Sequence, residues 1–182
     1  ILNFRINNSE DNNSLLKQRV QLMNNALHHR GPDGEGIWIN EDGSVALGHR
    51  RLSIIDLSNA GHQPMHFSDN NEGNSPRYTI VHNGEIYNYI ELKEELSKHG
   101  YTFRSQTDTE VIIAAYDFWK DLCVDYFDGM FAFAIWDSKE KELFAARDRF
   151  GEKPFFYFFD EKEFLFASEM KALWAAGVGC IP

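Results

Sequence analysis

The stretch Met130-Phe-Ala-Phe-Ala-Ile-Trp136 and the stretch Glu142-Leu-Phe-Ala-Ala-Arg147 predict two strands, because both are short and rich in aromatic and aliphatic residues. The charged turn at 137–141 joins them. A second pair of the same kind follows at 155–159 and 163–167. Strands joined by short turns pair antiparallel, so this part of the sequence predicts antiparallel sheets.

Helical patterns separate the strand pairs. The first helix is predicted from about Ser14, its N-cap, to His28, where Gly31-Pro32 stops it; its apolar face consists of Leu16, Val20, Met23 and Leu27. Further helices are predicted at 90–99, 110–120 and 170–176, and further strands at 1–6, 36–40, 45–49 and 78–82. Helices placed between groups of hairpins favour an α+β sandwich over a βαβ fold.

Length, charge and cysteine usage narrow the class of protein. At 182 residues the chain is long enough for one sizeable core, and we predict a single domain over residues 1–182. No run approaches the roughly 20 apolar residues of a membrane span, so we expect no membrane partner. The N-terminus has no basic region followed by an apolar core, so we expect no signal peptide. A net charge of -10 disfavours nucleic acid as a partner. Cys123 and Cys180 lack disulfide or metal spacing, which indicates a reduced, cytoplasmic enzyme without a metal site.

Five polar islands interrupt the apolar pattern where predicted elements end, at residues 28–33, 48–56, 83–88, 105–110 and 147–154. Each island also has a purely structural explanation. Asn83-Gly84 is a strong hairpin-turn signal, Asp108 can serve as a helix N-cap, and Arg50-Arg51 can be surface cations. His28-His29 could be a pair of metal ligands, but no carboxylate lies at ligand spacing, so we predict no metal site there. Cys123 between apolar neighbours is predicted to be a packing residue.

Taken in order, the polar islands and their flanks form a specific series. Its runs are His29-Arg-Gly-Pro-Asp33, Arg51-Leu-Ser-Ile-Ile-Asp56, Asn83-Gly-Glu-Ile-Tyr-Asn88, Thr107-Asp-Thr-Glu-Val-Ile112, Gly129-Met-Phe-Ala-Phe-Ala134, Arg147-Asp-Arg-Phe-Gly151 and Ser168-Glu-Met-Lys-Ala-Leu173. The series resembles the class II glutamine amidotransferases, most of all the glutaminase half of glutamine-dependent asparagine synthetases. The resemblance covers nearly the whole chain. It implies the fold of N-terminal nucleophile hydrolases, a four-layer αββα sandwich of two antiparallel sheets.

The resemblance also implies where the nucleophile lies. In that family the Cys at the mature N-terminus attacks glutamine, and its own α-amino group is the base. The family pattern puts this Cys upstream of Ile1, outside the printed sequence. Neither Cys123 nor Cys180 carries a free α-amino group, so neither can replace it. The chain as printed is therefore expected to lack the nucleophile of glutamine hydrolysis.

Site roles follow from the same resemblance. The side-chain amide of Asn83 and the backbone N–H of Gly84 are expected to stabilise the oxyanion. Arg51 is expected to bind the α-carboxylate of glutamine through its planar guanidinium, and Asp108 the α-ammonium.

Further residues are expected to complete or support the glutamine pocket. Glu85 and backbone groups around Ile54 and Ile55 belong to the pocket on this view. The loop at 29–33 is expected to shape it, with Arg30 held by neighbouring carboxylates. The segment at 147–154 is expected to be a structural turn rather than a catalytic element.

Ammonia in this family passes to a C-terminal synthetase domain of the same polypeptide, which makes asparagine from aspartate with ATP and Mg²⁺. That domain is expected to follow residue 173 and to lie outside this chain, so no cofactor is expected here. Glutamine and the synthetase domain are the expected partners, and a homodimer is left open. Two alternatives remain: an amidotransferase domain serving another acceptor carboxylate, and a non-catalytic glutamine-binding module without its nucleophile.

Overall fold

The computed structural model of the chain describes residues 2–3, 10–53, 59–68 and 76–179. The predicted strand at 1–6 is therefore described only at 2–3, and the predicted pocket residues Ile54 and Ile55 lie outside the described residues. Cys180 lies outside them as well.

Nine strands and four α-helices are seen in the described part of the chain. The strands are β1 Leu2–Asn3, β2 Gly34–Ile39, β3 Ala46–Arg51, β4 Met65–Phe67, β5 Tyr78–Ile86, β6 Gly129–Asp137, β7 Glu142–Arg147, β8 Phe156–Phe159 and β9 Glu163–Ala167. The helices are α1 Glu10–Ala26, α2 Tyr89–Lys98, α3 Asp108–Trp119 and α4 Met170–Ala175. Short 3₁₀ turns occupy His28–Arg30, Asn59–Gly61 and Lys120–Tyr126.

The chain divides into two compact units. The first comprises residues 1–52 and 154–182, with the antiparallel sheet β1-β9-β8 and the hairpin β2-β3. Helices α1 and α4 pack together in this unit because the apolar face predicted for α1 meets α4 and β9. The buried cluster that results is Leu16, Val20, Met23, Ala46, Leu165, Ala167, Ala172, Leu173 and Ala176.

The second unit comprises residues 53–153 and holds the antiparallel sheet β4-β5-β6-β7 with α2 and α3. Alternate residues of β5 and β6 supply its core, among them Tyr78, Ile80, Ile86, Phe131, Phe133 and Ile135. Helix α3 is buried from Asp108 to Tyr116, so it runs through the unit rather than over its surface. Both units have antiparallel sheets and helices, which confirms the predicted α+β class.

The structure rejects one alternative, moves the start of one predicted helix and adds one strand that the sequence did not predict. Asn83-Gly84 is not a hairpin turn, because β5 continues through it to Ile86 in register with β6. The first helix begins at Glu10 rather than at a cap on Ser14, since polar residues extend a helix readily once its apolar face is packed. Strand β4, only three residues long, had no recognisable pattern.

Among the described residues, no helix combines the length and the apolar character that crossing a membrane requires.

Candidate functional site

Asn83 lies in the middle of β5, opposite Ala132 on β6. Its side-chain amide nitrogen is buried and has no hydrogen-bond partner in the part of the chain that the structure describes. A buried donor without a partner costs about 1–3 kcal/mol, so such groups are rare in the absence of a functional reason. The Asn83 amide is therefore a buried donor that none of the described residues pairs.

The backbone N–H and C=O groups of Gly84 point away from β6. Phe131, which lies opposite Gly84, accepts a hydrogen bond from the Asp148 N–H over 2.8 Å and donates its own N–H to Asp148 Oδ2 over 3.3 Å. In an antiparallel ladder the N–H and C=O of one residue point to the same neighbouring strand. Since Phe131 uses both groups on the β7 side, Gly84 directs its N–H to the other edge of β5.

That open edge of β5 is bracketed by two side chains. The His82 N–H donates to Gln63 Oε1 over 2.6 Å, and the Ile86 N–H donates to Asp108 Oδ2 over 2.9 Å. The Gly84 N–H comes between these two along the same edge. The Asn83 amide and the Gly84 N–H are thus two donors on adjacent residues of β5 that no described residue is seen to pair.

Glycine at position 84 is required by the neighbouring strand. A Cβ there would lie 2.2 Å from the Met130 carbonyl oxygen and 2.7 Å from the Phe131 Cα, and φ is +152°. The close approach of β6 thus selects glycine, and the same absence of a side chain leaves the N–H uncovered.

Asp108 is the first residue of α3 and is buried. The N-cap is Thr107, whose hydroxyl accepts from the Glu110 N–H over 3.3 Å, so the alternative role of Asp108 as cap is wrong. The Glu110 carboxylate in turn accepts from the N–H groups of Arg104 and Ser105. Asp108 is therefore fixed by its own bond to Ile86 and by a well-bonded entry to the helix.

Glu85 follows Gly84 on β5 and is half-buried. Side chains alternate between the two faces of a strand, so Glu85 shares the face of Asn83. The structure thus brings four of the predicted site residues together in the second unit: Asn83, Gly84, Glu85 and Asp108.

Arg51 belongs to the first unit, where it is the last residue of β3 and lies opposite Gly34. Its carbonyl accepts from the Asp33 N–H over 3.0 Å, and the residue is half-buried. The loop that contains Gly31 passes so close to β3 that a Cβ on Gly31 would lie 2.3 Å from the Arg50 carbonyl carbon. The His-Arg-Gly-Pro-Asp loop is therefore packed directly against the end of the strand that bears Arg51.

Arg50 is a structural residue rather than a surface cation. Its Nε donates to the Gly31 carbonyl over 3.0 Å, and its guanidinium also pairs with Glu35 and contacts His28 Nδ1. The side chain is only 10% exposed. Arg50 thus has a structural role that differs from the role expected for Arg51, because its side chain bonds the loop at Gly31 to the sheet.

Arg30 is held by a carboxylate, as predicted. Glu169 accepts from Arg30 Nη1 over 3.1 Å, lies 2.9 Å from His29 Nε2, and pairs with Lys171 over 3.0 Å. Burial raises the pKa of Glu169, but the hydrogen bonds from Lys171, His29 and Arg30 outweigh it and lower the pKa to about 2. The loop and the start of α4 are thus joined through one ionised carboxylate.

The segment at 147–154 is a structural turn, as predicted. Asp148 accepts from the N–H groups of Phe131, Phe150, Glu152 and Lys153. Burial raises the pKa of Asp148, and these backbone hydrogen bonds lower it by more. Arg147 adds hydrogen bonds to the carbonyls of Gly151 and Lys153, each over 2.5 Å.

Cys123 is a packing residue, which confirms the prediction. It is fully buried in the core of the second unit, and burial, aided by the charge of Asp121, raises the pKa of its thiol to about 12. Among the described residues, no group of three or more His, Cys, Asp or Glu side chains could hold a metal ion.

Sequence reasoning missed Gln63, His82 and Thr109, which are buried beside the site. Gln63 belongs to no motif, whereas His82 directly precedes Asn83 and Thr109 lies within the quoted run at 107–112, but no role of its own was expected for either.

Two solved structures show the same fold. A glutamine phosphoribosylpyrophosphate amidotransferase from Bacillus subtilis, complexed with ADP and GMP, matches 87% of this chain and 41% of its own with a TM-score of 0.72 and 24% identity. A structure described as the allosteric regulatory enzyme of purine biosynthesis matches 88% of this chain and 41% of its own with a TM-score of 0.73, again at 24% identity. This likeness establishes the fold.

Curated relatives are more similar in sequence. Glutamine-hydrolyzing asparagine synthetase 3 of Bacillus subtilis (strain 168) is 44% identical over 87% of this chain, and synthetase 1 of the same organism is 46% identical over 91%. The chain spans 25% and 24% of the length of these two relatives. The family model for a glutamine amidotransferase domain matches residues 4–179, which includes both compact units. The chain therefore belongs to the glutamine amidotransferase domain family.

Proposed function

We propose that this chain is the glutaminase domain of a glutamine-dependent asparagine synthetase and converts glutamine to glutamate and ammonia. The observation that carries the proposal is the pair of donors on β5. The buried Asn83 amide has no partner among the described residues, and the adjacent Gly84 N–H points to the open edge of the strand. A fold would gain stability by pairing such donors, so their availability favours catalysis over a purely structural role.

The proposed reaction uses an N-terminal cysteine placed before Ile1. An α-amino group has a reference pKa of about 7.7 to 8.0, so near neutral pH it can take the thiol proton and later return it to the leaving ammonia. The thiolate attacks the side-chain amide carbon of glutamine, and the C=O electrons move to oxygen. Collapse of the tetrahedral intermediate expels ammonia and leaves a thioester, which water hydrolyses to glutamate and the free thiol.

The two donors of β5 act on the tetrahedral intermediate. The Asn83 amide and the Gly84 N–H donate to the oxyanion, whose charge is larger than that of the ground-state carbonyl oxygen. They stand on the part of β5 that pairs with β6, with the flanking His82 and Ile86 N–H groups held by side chains, so little reorganisation is needed when the charge develops. Cys123 has no part in this chemistry, because its thiol is buried in the core.

Recognition of glutamine needs a cation for the α-carboxylate and an anion for the α-ammonium. Arg51 takes the first role in this proposal, since a guanidinium can pair with a carboxylate through two parallel hydrogen bonds. Asp108 takes the second, with Oδ2 committed to Ile86 and the charge of the carboxylate available to the ligand. Glu85 and the backbone around Ile54 and Ile55 complete the pocket.

The ammonia acceptor lies outside this chain in the proposal. The part of this chain that matches covers only 25% and 24% of the two curated relatives, which supports a following synthetase domain that uses ATP and Mg²⁺ to amidate aspartate. An amidotransferase domain that serves another acceptor carboxylate would use the same glutaminase chemistry. Assays of the full-length protein with aspartate and with other carboxylates separate the two.

The test compares three chains: the chain as printed, the chain preceded by Met-Cys-Gly, and the chain preceded by Met-Ser-Gly. Removal of Met leaves an α-amino group in both extended chains, but only one of them has the thiol. Glutamate and ammonia should form without ATP in the Cys chain alone. Glutamine binding by calorimetry in all three, with no hydrolysis by a correctly processed Cys chain, would instead support the non-catalytic binding module.

A further inference from the structure

A buried polar cluster adjoins the donor pair, because one of its members, His82, directly precedes Asn83 on β5. Gln63, His82 and Thr109 come from three separate parts of the second unit, and their exposed fractions are 8%, 4% and 3%. Gln63 Nε2 donates to Thr109 Oγ1 over 3.3 Å, and His82 Nδ1 lies 3.1 Å from the same hydroxyl oxygen. Polar groups this deeply buried are costly unless they are paired, and here the Thr109 hydroxyl pairs with both of the others.

Gln63 lies two residues before the start of β4 and continues the bonding to β5 there. Met65 lies opposite Ile80, so continued pairing would bring residue 63 opposite His82. Instead of a backbone carbonyl, the Gln63 side-chain oxygen accepts the His82 N–H over 2.6 Å. The main chain therefore leaves β5 at this point, while the hydrogen bond that holds the strand edge is retained.

The proton positions in the cluster follow from its donors. Burial lowers the pKa of His82, Asp108 opposes this and Lys153 adds to it, so the imidazole is neutral near pH 7. Since the Gln63 amide donates to Thr109 Oγ1, the hydroxyl hydrogen can be given to Nδ1 of the neutral imidazole. The Thr109 hydroxyl thus joins the side chain that holds the edge of β5 to the first turn of α3.

Asp108 completes the connection, because it precedes Thr109 in that turn and accepts the Ile86 N–H. The two side chains that bracket the Gly84 N–H, Gln63 on one side and Asp108 on the other, are therefore linked through Thr109. Misplacing a catalytic group by about 1 Å can cost roughly 100-fold in rate, so such a link would matter to catalysis.

We propose that Gln63, His82 and Thr109 form a positioning cluster that fixes the direction of the Gly84 N–H toward the oxyanion. The proposal rests on the proposed glutaminase function. None of the three side chains is assigned contact with the substrate. They act through the edge of β5 and the start of α3.

The test uses three substitutions in the chain preceded by Met-Cys-Gly, from which Met is removed; this is called the Cys-restored chain below. Thr109→Val keeps the shape and removes the hydroxyl, whereas Thr109→Ser keeps the hydroxyl. Thr79→Val is the matched control, because Thr79 is also a buried threonine of this unit and its hydroxyl lies 3.0 Å from His66 Nδ1, which is not a member of the cluster. For each variant we would measure kcat, KM, thermal melting and amide hydrogen exchange of residues 82–86.

Thr109→Val should lower kcat by about tenfold or more and change KM far less, because the donor acts mainly in the transition state. Its His82 amide should exchange about tenfold faster, as expected for loss of one supporting hydrogen bond. Thr109→Ser should restore kcat, and Thr79→Val should change melting alone. A folded Thr109→Val chain with parental kcat, or an equal kcat loss in Thr79→Val, overturns the proposal.

An inactive Cys-restored parent contradicts the proposed function instead. In that case amide exchange alone tests whether the cluster positions the edge of β5. If the His82 amide of the Thr109→Val chain is as protected as in the parent, the positioning role is rejected.

Discussion

The backbone N–H of Ile86 donates to Oδ2 of Asp108 over 2.9 Å, which ties the last residue of β5 to the first residue of α3. One carboxylate oxygen thus serves the fold, while the negative charge of the same group can serve a ligand. The two roles respond differently to substitution.

Asp108→Asn keeps an oxygen acceptor for Ile86 and removes the charge. We expect near-parental melting and a KM for glutamine raised by about 10- to 150-fold, which corresponds to roughly 1.5–3 kcal/mol for a charged hydrogen bond. Asp108→Ala removes the acceptor as well and should also lower the melting temperature. Kinetics and melts of the Cys-restored chain check both, and an unchanged KM in a folded Asp108→Asn chain places the ammonium elsewhere.

The adjacent arginines provide a matched comparison for carboxylate recognition. Arg51→Lys keeps the charge and loses the planar fork, so KM for glutamine should rise by an amount equivalent to about 1.5–3 kcal/mol. Arg50→Lys should lower the melting temperature and leave KM nearly unchanged, because Arg50 bonds to Gly31 and Glu35. Equal KM effects of the two substitutions would contradict the assignment of Arg51.

Substitution of Asn83 distinguishes a role as oxyanion donor from a purely structural role in β5. Asn83→Ala removes a donor that has no partner among the described residues, so stability should change little while kcat falls by about 100- to 1,000-fold. Asn83→Asp adds a negative charge at the same position and should be worse. Circular dichroism and melts establish folding, and a folded Asn83→Asp chain with near-parental kcat would rule out the oxyanion role.

Glu169 should make stability depend on pH in acid. Its folded-state pKa of about 2 lies below the ordinary 4.5, so its contribution is fully present above pH 4.5 and is lost as pH falls toward 2. The difference in unfolding free energy between the parent and Glu169→Gln should therefore shrink as pH falls from about 4.5 toward 2. The exposed Glu161→Gln is the control in urea melts at each pH. A difference that persists unchanged at pH 2 would refute the ion-pair account.

Cys123 should be unreactive in the folded chain. With Cys180 changed to Ser, iodoacetamide at pH 8 should label the native chain slowly and the urea-unfolded chain fast, because burial withholds both access and the thiolate. Labelling of the native chain at the rate of a free thiol would show that the core opens there.

Local pattern predicted much of this fold. The hairpin of β6 and β7 and strand β9 follow from short apolar runs separated by charged turns, since both signals lie within a few residues of each other. Two of the five polar islands, at 83–88 and 105–110, meet in the structure through the hydrogen bond between Ile86 and Asp108. Asn83-Gly84 could not be decided locally, because the dipeptide favours a turn and only pairing with the distant β6 keeps it extended.

The positioning cluster could not be predicted for a similar reason. Gln63 and Thr109 are separated by 46 residues and His82 lies between them in sequence. Their pairing depends on where β4 and α3 begin, and no periodic sequence pattern marks either position. Strand β4 itself was missed because three residues are too few to show alternation.

The bracketing of β5 by Gln63 and Asp108 also bears on self-association. A strand edge with free N–H groups is a template on which a foreign strand can extend the sheet. Here side chains occupy the N–H groups of His82 and Ile86, two residues to either side of Gly84, so an incoming strand would find no consecutive donors. The edge can therefore accept a single small oxygen at Gly84 without offering a foreign strand a row of donors to pair with.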